Sequence, residues 1–168
     1  VSKSKALIDH LKSWLTCDYV RVSDSDDVLG AEFASVLKNV YAIACGMADG
    51  LGYGDNFQSI LASAAVREMQ HLLNVHAPTE RNICEAIYLG DLLVTAYSRH
   101  SRNRRLGYQV GKGAAPEDSG MVAEGFHSVR QLVEVQQFSA PILNAMYDIL
   151  HQGQPAREAV RQLEPKLR

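Results

Sequence analysis

Residues 36–44 read Val36-Leu37-Lys38-Asn39-Val40-Tyr41-Ala42-Ile43-Ala44, a lysine and an asparagine side by side in an otherwise apolar run. Outward from it, Val28, Leu29, Ala31, Phe33, Ala34, Met47 and Ala48 continue the apolar positions too densely for a single stripe. A helix apolar nearly all round is a buried helix, so this stretch predicts a central helix around which the others pack. Asp24-Ser25-Asp26-Asp27 supplies N-cap oxygens for its start, and Gly50-Leu51-Gly52-Tyr53-Gly54 stops it. That glycine group follows a helix rather than a strand, so it reads as a helix-ending turn and not as a phosphate loop. Lys38 needs an account, because an ammonium taken out of water must find partners, snorkel outward or release its proton. Two readings stand at this point. Lys38 either reaches the surface through a gap in the packing, or it is the proton-transfer group of an active site, with Asn39 positioning a neighbour.

A chain of 168 residues is about one domain and can bury a core without staples. Its formal net charge of −2 does not point to a highly charged partner. Cys17, Cys45 and Cys84 are odd in number, widely spaced and free of any Cys-x-x-Cys pair, which predicts three packed, reduced thiols. His71 and His76 are five apart, not the three or four that puts two ligands on one helical face, so no metal site is expected. No apolar run is read as long enough for a bilayer span, and Val1 to Lys12 lacks a signal-peptide core. Those features predict a soluble, cytoplasmic protein with no membrane span.

Leu7, Leu11, Trp14 and Leu15 predict a short amphipathic helix over 4–15. Residues 18–23 then alternate polar and apolar, the pattern of a strand, with no later strand to pair with. The economical inference is that residues 1–23 are the helix and strand at the tail of a preceding α/β domain, and that 24–168 form an all-α domain. An orphan edge strand also invites pairing between two copies of this fragment, a homodimer of non-physiological kind. Helices are expected from Asp55 to about Val75, from about Glu80 to Tyr88 after Pro78, from Ser101, after Gly125, over Ile142–Leu150 and after Pro155, with a loop over 111–120.

The densest polar information lies in Gly90-Asp91-Leu92-Leu93-Val94-Thr95 and Ser98-Arg99-His100-Ser101-Arg102-Asn103-Arg104-Arg105. Asp91 after Gly90 suits a helix N-cap. Ser101 suits the cap of a further helix, whose free N–H groups, with Arg102 and Asn103, form a ready site for a phosphate or carboxylate. The plain alternative is a solvated basic face. A nucleic-acid surface is not favoured, because only Tyr97 and Tyr108 are nearby aromatics and the chain is slightly acidic.

The segments Leu37-Lys38-Asn39-Val40, Ala48-Asp49-Gly50-Leu51-Gly52-Tyr53-Gly54-Asp55-Asn56, Gly90 to Thr95, Ser101 to Arg105 and Glu124-Gly125, in that order, are similar to the C-terminal half of NAD(P)-dependent glycerol-3-phosphate dehydrogenases, the bacterial type in particular. The likeness runs from about Asp18 to the end. It implies an all-α, multi-helix domain like the C-terminal domain of 6-phosphogluconate dehydrogenase, with its Rossmann partner absent from these residues. It implies interconversion of sn-glycerol 3-phosphate and dihydroxyacetone phosphate with NAD or NADP, supplying glycerol 3-phosphate for phospholipid synthesis. In that resemblance Lys38 is the proton acceptor and touches substrate. Asp91, Ser101, Arg102 and Asn103 bind substrate, and Arg102, Val122 and Glu124 touch the dinucleotide. The chain departs from the family pattern at Phe33-Ala34-Ser35 and at Ile87-Tyr88, where bulk is added close to the expected site, and in a shortened loop over 113–121.

The chemistry suits the residue types. Hydride leaves C2 as its hydroxyl proton is taken up, so an amine that gains and loses a proton near neutral pH serves both directions. A Ser-capped helix start with an arginine suits a doubly negative phosphate. No G-x-G-x-x-G loop between strand and helix occurs in these residues, so the dinucleotide is expected to be held mainly elsewhere and this chain alone to be inactive. Two alternatives remain open: a related dehydrogenase domain for another phosphorylated or hydroxy-acid substrate, and a catalytically silent helical binding module.

Overall fold

A computed structural model describes residues 1–116, 123–135 and 140–167, so Val122 lies outside the described residues. The described residues are all-α. Helices α1 (Lys5–Leu15), α2 (Val28–Leu51), α3 (Asp55–His76), α4 (Asp91–Tyr97), α5 (Arg102–Gly111), α6 (Glu124–Val135), α7 (Pro141–His151) and α8 (Ala156–Leu163) follow in order, with a π-helical turn over Ala86–Gly90 leading into α4.

The central helix forms as its sequence requires. Asp27 Oδ1 accepts the Gly30 N–H at 2.9 Å and caps the start. Gly52, at φ 90°, ends it by returning its N–H to Ala48 and Asp49. Helices α3 to α7 all pack on α2, and Leu37, Val40, Tyr41, Ala42, Ile43, Met47 and Ala48 have 0% exposure. Among its neighbours α5 lies closest. A Cβ placed on Gly46 would come within 1.9 Å of the Arg104 carbonyl oxygen, and one on Gly107 within 1.9 Å of that of Ile43. Backbones therefore touch where α5 crosses α2, which brings the start of α5 to the middle of the central helix.

By length and composition α2 could cross a membrane, contrary to the expectation that no run would: it has 24 residues, and an 18-residue stretch of it has a mean hydropathy of 1.3. Half of that stretch is buried in the protein core. The strand expected over 18–23 is not formed. Cys17 and Val20 make one isolated antiparallel bridge, because no second strand exists among the described residues to extend it. Helix α1 buries none of its residues, leaving Leu7, Leu11, Trp14 and Leu15 exposed, and its lysines Lys5 and Lys12 hold it to Asp24.

The helix expected over 80–88 forms only at its end, where the π-helical turn begins at Ala86. Asn82 Oδ1 takes the Cys84 N–H at 3.1 Å, offering the backbone a local turn in place of a helix. Only Cys45 is a packed thiol, pushed by burial to about 12, whereas Cys17 and Cys84 are exposed, since neither the bridge nor the turn that carries them is covered by a helix.

Candidate functional site

Lys38 lies about three turns into α2. Its Nζ donates to Asp91 Oδ2 at 2.5 Å, the two side chains being 22% and 41% exposed. Both readings of Lys38 are thereby modified: it reaches a partly open surface and is met there by a carboxylate. Asp91 is not the N-cap of its helix. The π turn runs straight into α4 through a helical Gly90, and the Asp91 backbone N–H is satisfied by Ala86 and Tyr88. With no capping duty, the carboxylate is left for Lys38.

The neighbouring Asn39, 8% exposed, starts a second network. Its Nδ2 donates to the Ser35 carbonyl at 3.1 Å and to Glu124 Oε2 at 3.3 Å. Its Oδ1 accepts from Asn103 Nδ2 at 2.9 Å, and Asn103 Oδ1 accepts the Gly125 N–H at 2.9 Å. One buried amide pair thus binds α2, α5 and the start of α6. Each bond contributes about 1 kcal/mol net, and an orphaned buried partner costs about 1–3 kcal/mol. Gly125 permits this approach, since a Cβ there would lie 2.9 Å from both Asn103 Oδ1 and the Asn39 carbonyl oxygen.

Glu124 continues the network outward, its Oε1 lying 3.6 Å from Arg102 Nη2 with both side chains more than half exposed. Ser101 Oγ accepts the Arg104 N–H at 3.3 Å, the expected cap of α5. The basic row divides. Arg104 is drawn inward to Asp49 Oδ2 at 2.7 Å, while Arg99, Arg102 and Arg105 are exposed. Among the described residues no hydrogen bond or ion pair joins Lys38 to Arg102 directly. They are linked through Asn39, Asn103 and Glu124, and the two networks start at consecutive residues of α2, about 100° apart around the helix. The bulk expected beside the site at Tyr88 is turned away from it, because the Tyr88 hydroxyl reaches Asp27 at 2.6 Å. Phe33 stacks with His76 at the far end of α3, 5.3 Å between ring centroids.

The arrangement offers an amine and a carboxylate joined by a hydrogen bond and partly open to solvent. The second network ends in an exposed guanidinium and a capped helix start able to meet an anion. The Asn39–Asn103 pair was not legible as a contact. Its only sequence signal was a polar residue in a buried helix.

Residues 27–161 match the family described as the NAD-dependent glycerol-3-phosphate dehydrogenase C-terminus. The curated glycerol-3-phosphate dehydrogenase (NAD(P)+) of Limosilactobacillus reuteri (strain DSM 20016) is 38% identical over 152 residues, 86% of this chain and 45% of the relative. That of Agathobacter rectalis is 40% identical over 150 residues, 85% of this chain and 45% of the relative. The crystal structure of glycerol-3-phosphate dehydrogenase from Coxiella burnetii superposes with a TM-score of 0.89 at 29% identity, covering 96% of this chain and 52% of that one. The chain spans about half the length of the curated relatives it matches.

Proposed function

The chain belongs to the family of NAD-dependent glycerol-3-phosphate dehydrogenase C-terminal domains, and from that membership we propose that it is the substrate-binding half of an enzyme interconverting sn-glycerol 3-phosphate and dihydroxyacetone phosphate. The observation that carries this reading is the Lys38–Asp91 pair at 2.5 Å, partly open to solvent, with the adjacent Asn39 hydrogen-bonded to Asn103 in the first turn of the arginine-bearing helix α5. On reduction of the ketone, the Lys38 ammonium gives a proton to the carbonyl oxygen at C2, and on oxidation the amine takes it back from the hydroxyl. Asp91 holds the amine in place and meets the substrate. Arg102, Ser101 and Asn103 receive the substrate phosphate at the start of α5, where helix dipole and guanidinium both favour an anion.

NAD or NADP supplies or accepts the hydride when bound. Arg102, Val122 and Glu124 are the residues of this chain that would touch it. The exposed Arg102 guanidinium, tied to Glu124 only at 3.6 Å, fits an anionic dinucleotide, and the carboxylate of Glu124 suits hydroxyl groups rather than phosphate. Residues 24–168 form the substrate half in this reading and residues 1–23 the tail of the dinucleotide half. A cytoplasmic enzyme supplying phospholipid synthesis completes it.

The full-length protein is assayed for dihydroxyacetone phosphate reduction with NADH and with NADPH. Turnover with at least one is the expected result, and none with either overturns the reading.

A further inference from the structure

Asp27, Arg81 and Tyr88 form a polar hub away from the Lys38 amine. Arg81 Nε donates to Asp27 Oδ2 at 2.9 Å, and the Tyr88 hydroxyl donates to the same oxygen at 2.6 Å, while Asp27 Oδ1 caps α2. The Arg81 side chain is 3% exposed and that of Asp27 12%, and Tyr88 as a residue is 2% exposed. Arg81 also donates to Asn74 Oδ1 at 3.3 Å and to the Ala77 carbonyl, tying in the end of α3. Every side chain of the hub is thus engaged, with no vacancy for a ligand. Its purpose lies in what it holds.

What it holds is the turn that carries Asp91. Tyr88 sits inside the π-helical turn Ala86–Gly90, and its carbonyl accepts the backbone N–H of Asp91. The segment 86–97 is therefore pinned to α2 twice, by Tyr88 on Asp27 at the start of the helix and by Asp91 on Lys38 about three turns further on. A π turn is rare and recurs at functional sites, and the anchor at Tyr88 within it, three residues before Asp91, sets the direction in which the helix carrying Asp91 leaves the turn. We propose that Tyr88, held by Asp27 and Arg81, is a positioning residue that aims the Asp91 carboxylate at Lys38; the proposal rests on the dehydrogenase reading above. The ionic state of the hub agrees. Burial pushes the Asp27 carboxyl up, but hydrogen bonds from Arg81, Tyr88 and the Gly30 N–H outweigh it and leave the group below its ordinary range. Burial and then the bond to Asp27 push the Tyr88 phenol up to about 12, so it remains a donor at every pH at which the protein works.

Replacing Asp27 or Arg81 would leave a buried charge unpaired and threaten the fold. The test is therefore Tyr88→Phe in the full-length protein, which keeps the ring and removes one hydroxyl. Misplacement of a catalytic group by a fraction of an ångström lowers turnover more than binding, so kcat for dihydroxyacetone phosphate reduction falls about tenfold while KM changes less than about twofold. In an Asp91→Asn background the same change costs no further kcat, because the group it positions has gone. An unchanged kcat, or equal losses in the two backgrounds, overturns the proposal. A crystal structure of the Tyr88→Phe protein decides the matter independently of substrate: Asp91 is expected to leave Lys38, and an unmoved pair refutes the positioning role. Failure of the unaltered protein to reduce the ketone would count against the dehydrogenase reading alone.

Discussion

An amine three turns into a buried helix is tolerable only if its charge is met, and Asp91 meets it at 2.5 Å. A half-open ion pair of this kind contributes little to stability, about 0–1 kcal/mol, so folding alone does not account for it. Lys38→Met in the full-length protein is expected to lower kcat by roughly a hundred- to ten-thousand-fold, the range of a lost general acid–base group, with little change in KM. Arg102→Ala, removing an exposed cation at the start of α5, is expected to raise KM for dihydroxyacetone phosphate with a smaller effect on kcat. Steady-state kinetics with varied ketone separates the two, and the reverse pattern would mean the roles are exchanged. Lys38, Asp91 and the Ser101-Arg102-Asn103 group stand out in the sequence because each is a polar type in a place that physical chemistry does not expect, or at a helix start. Their partners do not. That Asn39 pairs with Asn103, or that Glu124 spans Asn39 and Arg102, depends on how closely α5 and α6 approach α2.

The elements were legible in proportion to how local their causes are. The central helix follows from its own apolar density, its aspartate cap and its terminal glycines, and it forms from Val28 to Leu51. The segment after Pro78 does not follow from local signals, because Arg81 is taken by Asp27 and Asn82 by the Cys84 N–H, both at the expense of a helix. A third element-level feature was silent in the sequence: Glu68 of α3, 7% exposed, accepts the N–H groups of Ile142 at 2.8 Å and Leu143 at 3.0 Å. Helix α7 has no side-chain cap of its own, so a carboxylate from another helix supplies it. Burial pushes the Glu68 carboxyl up to about 7, against the pull of those two N–H groups and of Tyr41. Tyr41 Oη is fully buried without a partner at hydrogen-bond geometry, and burial followed by the Glu68 charge raises its own hydroxyl well above the usual range. The folded protein thus holds the Glu68 proton more tightly than the unfolded chain, whose glutamate ionises near 4.5. Stability from this group is present below about pH 4.5 and is lost as pH rises to about 7, by about 3 kcal/mol across the window. Urea denaturation of wild-type and Glu68→Gln proteins from pH 5 to 8 is expected to show the wild-type advantage shrinking as pH rises. A constant difference would mean that the carboxyl is already ionised throughout.

On the scale of the whole molecule, the all-α body follows from periodicity, whereas the assignment of residues 1–23 follows from an unpartnered helix and an alternating segment that turns out to hold only the Cys17–Val20 bridge. Helix α1 still presents Leu7, Leu11, Trp14 and Leu15 to solvent, an apolar face that a helix keeps when something covers it. In the proposed enzyme that cover is the dinucleotide half. Trp14 is the one tryptophan of the chain and is 72% exposed, so it reports on this face without labelling. Its emission in the isolated 168-residue chain is expected to be red-shifted and readily quenched by acrylamide. In a full-length protein whose other half carries no tryptophan, or has had its own replaced by phenylalanine, emission should shift to the blue and quenching should fall. The same isolated chain is expected to bind NADH more weakly than about 1 mM, a binding free energy of only about 4 kcal/mol, because the exposed side chains of Arg102 and Glu124 cannot by themselves offset the entropy lost on association. Tight NADH binding by the isolated chain would mean that it holds a dinucleotide site of its own. A Trp14 spectrum equally red in both proteins would detach residues 1–23 from the dinucleotide half and leave the apolar face of α1 to a different partner.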